Sequence, residues 1–176
     1  ISRRPYPPGI HGQRRSKASE YRNQLREKQK LKRTFGVMER QFRRYFDISA
    51  ASKGNTGVEL LMLFERRLDN VVYRSGMALS RPHARQLVNH GHITVNDKKV
   101  DISSYQLRKG DVVGVKRKEK SKGLVKEAIE ATQGLTIPSW LGMDGDGLKA
   151  TVNELPTREE FSLPLREQLV IEFCSK

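Results

Sequence analysis

The stretch Ser80-Arg81-Pro82-His83-Ala84-Arg85-Gln86-Leu87-Val88-Asn89-His90-Gly91-His92-Ile93-Thr94-Val95-Asn96-Asp97 decides the fold. Ser80 is a natural N-cap, and Pro82 suits a first helical turn, where its missing N–H costs nothing. Ala84, Leu87 and Val88 give that helix an apolar side, and Gly91 ends it. Ile93-Thr94-Val95 then alternates as a strand, Asn96-Asp97 turns, and Lys99-Val100-Asp101-Ile102 returns. Leu107-Arg108-Lys109-Gly110-Asp111 makes a second turn into Val112-Val113-Gly114-Val115. The pattern predicts two helices on a small, curved antiparallel sheet. Arg81 and Arg85 stand four apart and share a helix face. With the hairpin lysines they are expected to form a basic ridge, their guanidinium forks suited to phosphate.

Upstream, Phe35, Met38, Phe42 and Tyr45/Phe46 recur at helical spacing, with Arg40, Arg43 and Arg44 on the other face. Asn55-Thr56 reads as a cap, after which Val58, Leu61, Met62, Phe64 and Leu68 continue one buried helix. Ser19 to Lys32 is a polar helix with a thin apolar stripe that includes Tyr21 and Leu25. The proline-punctuated opening, Ile1 to Gly12, suits an extended arm along a phosphate backbone, with Tyr6 able to stack. Downstream, Lys116 to Lys126 is expected as a helix start or loop near RNA. Gly134 to Gly147 is expected to pack on the sheet, with Trp140 in the core.

Of 176 residues, 34 are Lys or Arg and 20 Asp or Glu, a net charge of +14. The charge is uneven. Residues 1–53 carry +11, residues 54–153 carry +5, and residues 154–176 carry −2. The N-terminal third therefore points to a polyanion, nucleic acid first. No apolar run approaches the roughly 20 residues of a membrane helix, and the opening residues lack the apolar centre of a secretory signal. Cys174, the one cysteine, excludes an internal disulfide framework. His83, His90 and His92 lack acidic or cysteine companions at ligand spacing, so no metal site is expected. Asp144-Gly145-Asp146-Gly147 begins like a calcium loop but has Leu155 at position twelve, and reads as a turn. Neither a nucleophile elbow nor a Gly-rich phosphate loop is present. No catalytic residue is expected, and the chain is not expected to be an enzyme.

Two runs, Arg66-Arg67-Leu68-Asp69-Asn70-Val71-Val72-Tyr73-Arg74 and Ala84 to Asn96, resemble the RNA-binding domain named after the fourth protein of the small ribosomal subunit. Arg3 to Gly9 and Gly36 to Tyr45 resemble the N-terminal domain of the ribosomal protein S-four family itself. Leu155 to Glu159 and Glu167 to Phe173 resemble that family's end. The likeness spans nearly the whole chain and is of the bacterial type. Two departures stand in turns: Asp97 where the family usually has Gly, and Ser103 where Pro is common.

The resemblance implies an α+β fold. Residues 1–65 with 154–176 form a mostly helical domain completed by a C-terminal strand and helix. Residues 66–153 form an inserted α/β domain holding the RNA-binding unit, 66–118, with its curved antiparallel sheet (the alpha-L motif). The implied function is that of a structural ribosomal protein. It binds small-subunit rRNA early, at the 5′-domain helix junction, nucleates the subunit body, and contributes to decoding accuracy through ribosomal protein S-five. With S-five and ribosomal protein S-three it lines the messenger RNA entry channel. The expected location is the cytoplasmic ribosome, or an organellar one. No cofactor is expected within residues 1–176; the zinc site of some members would lie upstream.

The candidate phosphate and sugar contacts in the first part are Arg3, Arg4, Tyr6, His11, Arg14, Arg15, Lys17, Lys28, Lys32, Arg33, Arg40, Arg43 and Arg44. In the second part they are Arg66, Arg67, Arg81, His83, Arg85, Gln86, His90, His92, Asn96, Lys98, Arg108, Lys109 and Lys116. Glu154, Glu159, Glu160, Leu163, Leu165, Glu167 and Leu169 are the candidate contacts to S-five. About ten phosphate contacts would make log affinity fall with log salt at a slope of about −7 to −9. Two rivals carry the same domain. An RNA-modifying enzyme or synthetase needs a catalytic domain for which too little chain remains. A small heat-shock factor would lack the aromatic helical segment.

Overall fold

The structure, a computed structural model, describes residues 3, 6, 9, 10, 12, 19–132, 136–161 and 164–175. Three helices open the described chain: α1 (Glu20–Thr34), α2 (Glu39–Ala51) and α3 (Thr56–Glu65). Ser19 caps α1 through a bond from the Arg22 N–H, and Asn55 caps α3 through bonds from Gly57 and Val58. Phe42 and Phe64 are completely buried, and Phe64 lies 5.1, 5.7 and 5.2 Å from the rings of Phe35, Phe42 and Tyr45. Leu31, Leu60, Leu61, Phe161, Leu165 and Val170 complete this core. Its last members come from the far end of the chain: α7 (Glu167–Cys174) packs on α1 and α3.

A second core is built from α4 (Leu68–Arg74), α5 (Arg81–Asn89) and a five-stranded antiparallel sheet. The strands are β1 (Ile93–Val95), β2 (Lys98–Lys99), β3 (Val112–Val115), β4 (Leu141–Met143) and β5 (Lys149–Val152), in the order β2-β1-β3-β5-β4. Ile93, Val95, Val113, Ala150 and Val152 point into the core, as period-2 alternation requires. Trp140 is buried there, as its apolar neighbours suggest, and α6 (Glu119–Ala131) contributes Val125. The α+β class read from the sequence holds.

Ser80 caps α5 by accepting from the His83 N–H. At the other end Gly91, at φ +69°, lets the His92 N–H reach Leu87 and its own N–H reach Val88, the paired bonds of a Schellman turn. Gly36 (φ +60°) ends α1 the same way, with Val37 bonded to Lys32 and Gly36 to Arg33. The hairpin turn places Asn96 and Asp97 at φ 50° and 62°, the left-handed pair that a two-residue hairpin needs. Asn and Asp are among the residues that tolerate this conformation.

Three expectations need correction. The helix expected to run from Val58 through Leu68 is broken. Arg67 is extended (ψ 137°) because Arg66 and Leu68 pair with Leu107 and Tyr105 across the second unit. The returning strand is shorter than Lys99 to Ile102, pairing only at Lys98–Lys99. Among the described residues of 154–176 there is no strand; a 3-10 turn at Arg158–Glu160 and α7 occupy the segment, whose Leu165 and Val170 bury as helix-packing residues. The pair β4–β5 adds an edge that the sequence reading treated only as packing on the sheet. No helix of the described residues is long and apolar enough to cross a membrane.

Candidate nucleic-acid interface

The cations divide into those that face outward and those held by acids inside. On α2 the apolar stripe Phe42, Tyr45 and Ser49 turns inward, leaving Arg40, Arg43 and Arg44 exposed. Among the described residues Arg40 and Arg44 form no ion pair, and Arg43 has only a 3.8 Å approach to Glu39. Arg33 is exposed in the last turn of α1, and Arg3 is exposed too. Tyr6 is half-buried. Arg4, His11, Arg14, Arg15 and Lys17 lie outside the described residues.

In the second unit a cationic cluster forms where four elements meet. His90 closes α5, and its ring lies 6.3 Å from that of His92. The Lys116 N–H donates to the His92 carbonyl at 2.8 Å, and His92 Nδ1 lies 2.9 Å from Ser121 Oγ on α6. Burial, and then the charges of His90, Lys120 and Lys116, push the His92 imidazole below its ordinary value. The side chain of Lys99 lies across Gly91, and Lys98 is exposed on β2. Arg108 and Lys109 are exposed at the second turn, where Arg108 acts electrostatically on Arg66.

A further strip was missed by the list of candidate contacts. Register pairs Thr94 with Gly114 and Gly114 with Lys149 across the open face of the sheet. With Arg117 these line a depression of about 400 Å³. Arg117, Lys118, Lys120 and Lys126 are exposed along the entry and first turns of α6. The lysine-rich run around Lys116 to Lys126 was the available signal. Lys149 had none, because β5 was not foreseen.

Several candidates are not free to meet a phosphate. Lys28 is buried, its ammonium bonded to Glu39 and 5.0 Å from the Phe173 ring centroid. Lys32 holds the other Glu39 oxygen at 3.0 Å. Burial would raise the Glu39 carboxyl, but the bonds from Lys28 and Lys32 outweigh it and hold that group low. Arg67 is 4 % exposed and grips Asp69 with two bonds of 3.0 and 2.8 Å. Burial opposes its charge, yet Asp69 and Tyr45 more than offset this and raise its affinity for the proton.

Arg66 is half-buried and donates to the Leu107 carbonyl. Arg81 and Arg85, expected as a ridge, lie at the seam between the two units instead, because Asp69, Asn70 and Phe35 offer partners inside. His83 accepts from the Leu79 N–H through Nδ1, and Asn96 spends its amide on Asp111 and on the Val112 N–H. Gln86 is exposed.

The acidic end is also partly internal. Leu165 is buried, so it cannot be a surface contact. Glu167 is held by a two-point Arg158 fork at 2.9 Å, which lowers its carboxyl. Burial would raise the Glu160 carboxyl, but Ser139 and the Thr157 capping box outweigh it and keep it low. Glu154 and Glu159 are exposed and Leu169 half-buried, while Leu163 lies outside the described residues. Among the described residues no three His, Cys, Asp or Glu side chains gather in a metal-binding arrangement.

Residues 1–65 match the family model described as the ribosomal protein S4/S9 N-terminal domain, and residues 66–113 match the S4 domain. The whole chain aligns with proteins called small ribosomal subunit protein uS4. It is 52% identical to that of Thermodesulfovibrio yellowstonii and 51% to that of Thermus thermophilus, and it covers 85% of each relative's length. That of Acetivibrio thermocellus is 52% identical over 176 residues. The outward cations and the helix-hairpin unit thus sit on a known frame: this chain belongs to the uS4 family of small ribosomal subunit proteins, structural RNA-binding components rather than enzymes.

Proposed function

We propose that this chain binds small-subunit rRNA as a primary binder at the 5′-domain helix junction and nucleates assembly of the subunit body. The observation that carries the reading is the pairing of two cationic faces on one chain: the α2 stripe Arg40, Arg43 and Arg44, and Lys116, Arg117, Lys118 and Lys120 at the entry to α6 beside His92. Two such faces on separate cores suit a target in which several helices converge, read by backbone and shape rather than by base code. Exposed Glu154 and Glu159 give the C-terminal end a local negative character that RNA would avoid. We assign that end to ribosomal protein S-five, with an influence on decoding accuracy. The messenger entry channel, shared with ribosomal protein S-three, belongs to the same reading.

Competition binding tests the junction assignment. Labelled 5′-domain junction RNA is titrated with the full chain, with transfer RNA and duplex DNA as competitors. The junction is expected to hold the protein against a large excess of either competitor. Displacement by either competitor at a concentration equal to the junction's would mean that charge alone acts, and the junction assignment would fail.

A further inference from the structure

Arg85 leaves α5 and ends in the other unit. Its Nη1 and Nη2 donate to the carbonyls of Gly36 (2.6 Å) and Phe35 (3.0 Å), while Nε and Nη2 hold Asp69 Oδ2 at 3.0 and 2.8 Å. The Schellman turn of α1 uses the carbonyls of Lys32 and Arg33. It leaves those of Phe35 and Gly36 to be satisfied from elsewhere. A guanidinium placed there also meets the negative end of the α1 dipole. One turn earlier on α5, Arg81 lies between two rings, 5.0 Å from Phe35 and 4.6 Å from Tyr73, and donates to Asn70 at 2.9 Å.

The same acid organises a second crossing. Asp69 grips Arg67, whose Nη1 donates to the Tyr45 hydroxyl at 3.0 Å. Gln106 donates to that hydroxyl at 3.2 Å and to the Leu63 carbonyl at 3.1 Å. Each crossing joins residues of the aromatic core to residues of the sheet core, and the two apolar cores are separate clusters. Directional bonds of fixed length therefore cross where the apolar packing of each unit ends.

We propose that Arg85 and Tyr45, working through Asp69 and Arg67, are positioning residues that fix the angle between the two cationic faces so that one RNA meets both at once. The inference rests on the reading that both faces contact the same RNA. Joining two contact surfaces makes the second contact intramolecular, and its strength depends on the geometry being held. Releasing the seam lowers the fraction of molecules in the competent arrangement and weakens apparent affinity by that fraction. The number of phosphates neutralised stays the same, so the salt slope does not change. An arginine that bound phosphate directly would behave otherwise: removing it would reduce the slope by about 1.

The test uses the full chain carrying Cys174→Ser, with spin labels on Ala50→Cys in α2 and Glu130→Cys in α6. Arg85→Ala is compared with that parent, and Tyr45→Phe serves as a second variant that removes a single oxygen. Without RNA, both variants are expected to broaden the distance distribution between labels. With junction RNA, the dissociation constant is expected to rise by about tenfold for Arg85→Ala, at an unchanged salt slope. Distance distributions as narrow as the parent's, or a slope less steep by about 1, would overturn the proposal. A parent that fails to select the junction overturns the RNA reading itself. That outcome is seen before any variant is compared.

Discussion

Replacing Asp69 with alanine is expected to remove about 3–5 kcal/mol of folding stability, the cost of leaving a buried charge without its partner. Asp69 is 3 % exposed and Arg67 4 %, so water cannot take over the guanidinium once the carboxylate is gone. The same change strips Arg85 of its 3.0 and 2.8 Å bonds and leaves its guanidinium with the Phe35 and Gly36 carbonyls alone. Urea unfolding at neutral pH measures the loss, with Asp101→Ala as the comparison. Asp101 pairs with Lys99 on the surface, both side chains 53% exposed, and its removal is expected to leave the midpoint close to the parent's. A loss at Asp69 no greater than the ~1 kcal/mol of an exposed pair would mean that the hub is not the desolvated network described here.

Phe64→Ala is expected to cost about 3–5 kcal/mol, through lost transfer energy and the cavity left behind. Its ring is completely buried and touches three other aromatic rings, Phe35 in the turn after α1 and Phe42 and Tyr45 on α2. Rings fixed on a turn and on a helix cannot all close on the space that one ring vacates. Phe64→Leu keeps much of the volume and is expected to lose distinctly less. Thermal and urea midpoints of the two variants check this. Equal losses would contradict the cavity account, because the apolar volume that leucine retains would then recover nothing.

The helix-hairpin unit was legible because its signals act over short spans. Ser80 caps a donor three residues on, Gly91 ends the same helix, and Asn96-Asp97 turns two adjacent strands. None of these needs knowledge of the rest of the chain. The aromatic core of the first unit was legible for a similar reason, since Phe35, Phe42 and Tyr45 recur at helical spacing and bury together with Phe64, although Met38 of the same stripe is exposed.

The direction in which a charge faces was not legible. Arg81 and Arg85 share a helix face, as their spacing requires, but that face packs on Phe35 and Asp69, leaving both arginines only half-exposed. Asp69 lies 16 residues before Arg85 and Phe35 lies 50 before it, so periodicity along one helix carries no trace of them. Lys28 was misread likewise, because Glu39 sits on the next helix. Strand β5 escaped because its inward pair, Ala150 and Val152, is short and alternates with Lys149 and Thr151. It becomes a strand only where β3 and β4 pair with it on either side. At the C-terminus, Leu165 and Val170 were visible as apolar but not as members of the aromatic core at the other end of the chain.

The measurement that bears most directly on the account is the salt dependence of junction-RNA binding for Arg40→Gln/Arg43→Gln/Arg44→Gln against the parent chain. The three side chains are exposed, and among the described residues their one ion pair is the 3.8 Å approach of Arg43 to Glu39. If they are the phosphate-facing cations, the slope of log affinity against log salt becomes less steep by about 2–3 and affinity falls with it. A slope unchanged by the loss of all three would contradict the assignment of the α2 stripe to RNA, and with it the division between outward cations that bind and inward cations that hold the two units together.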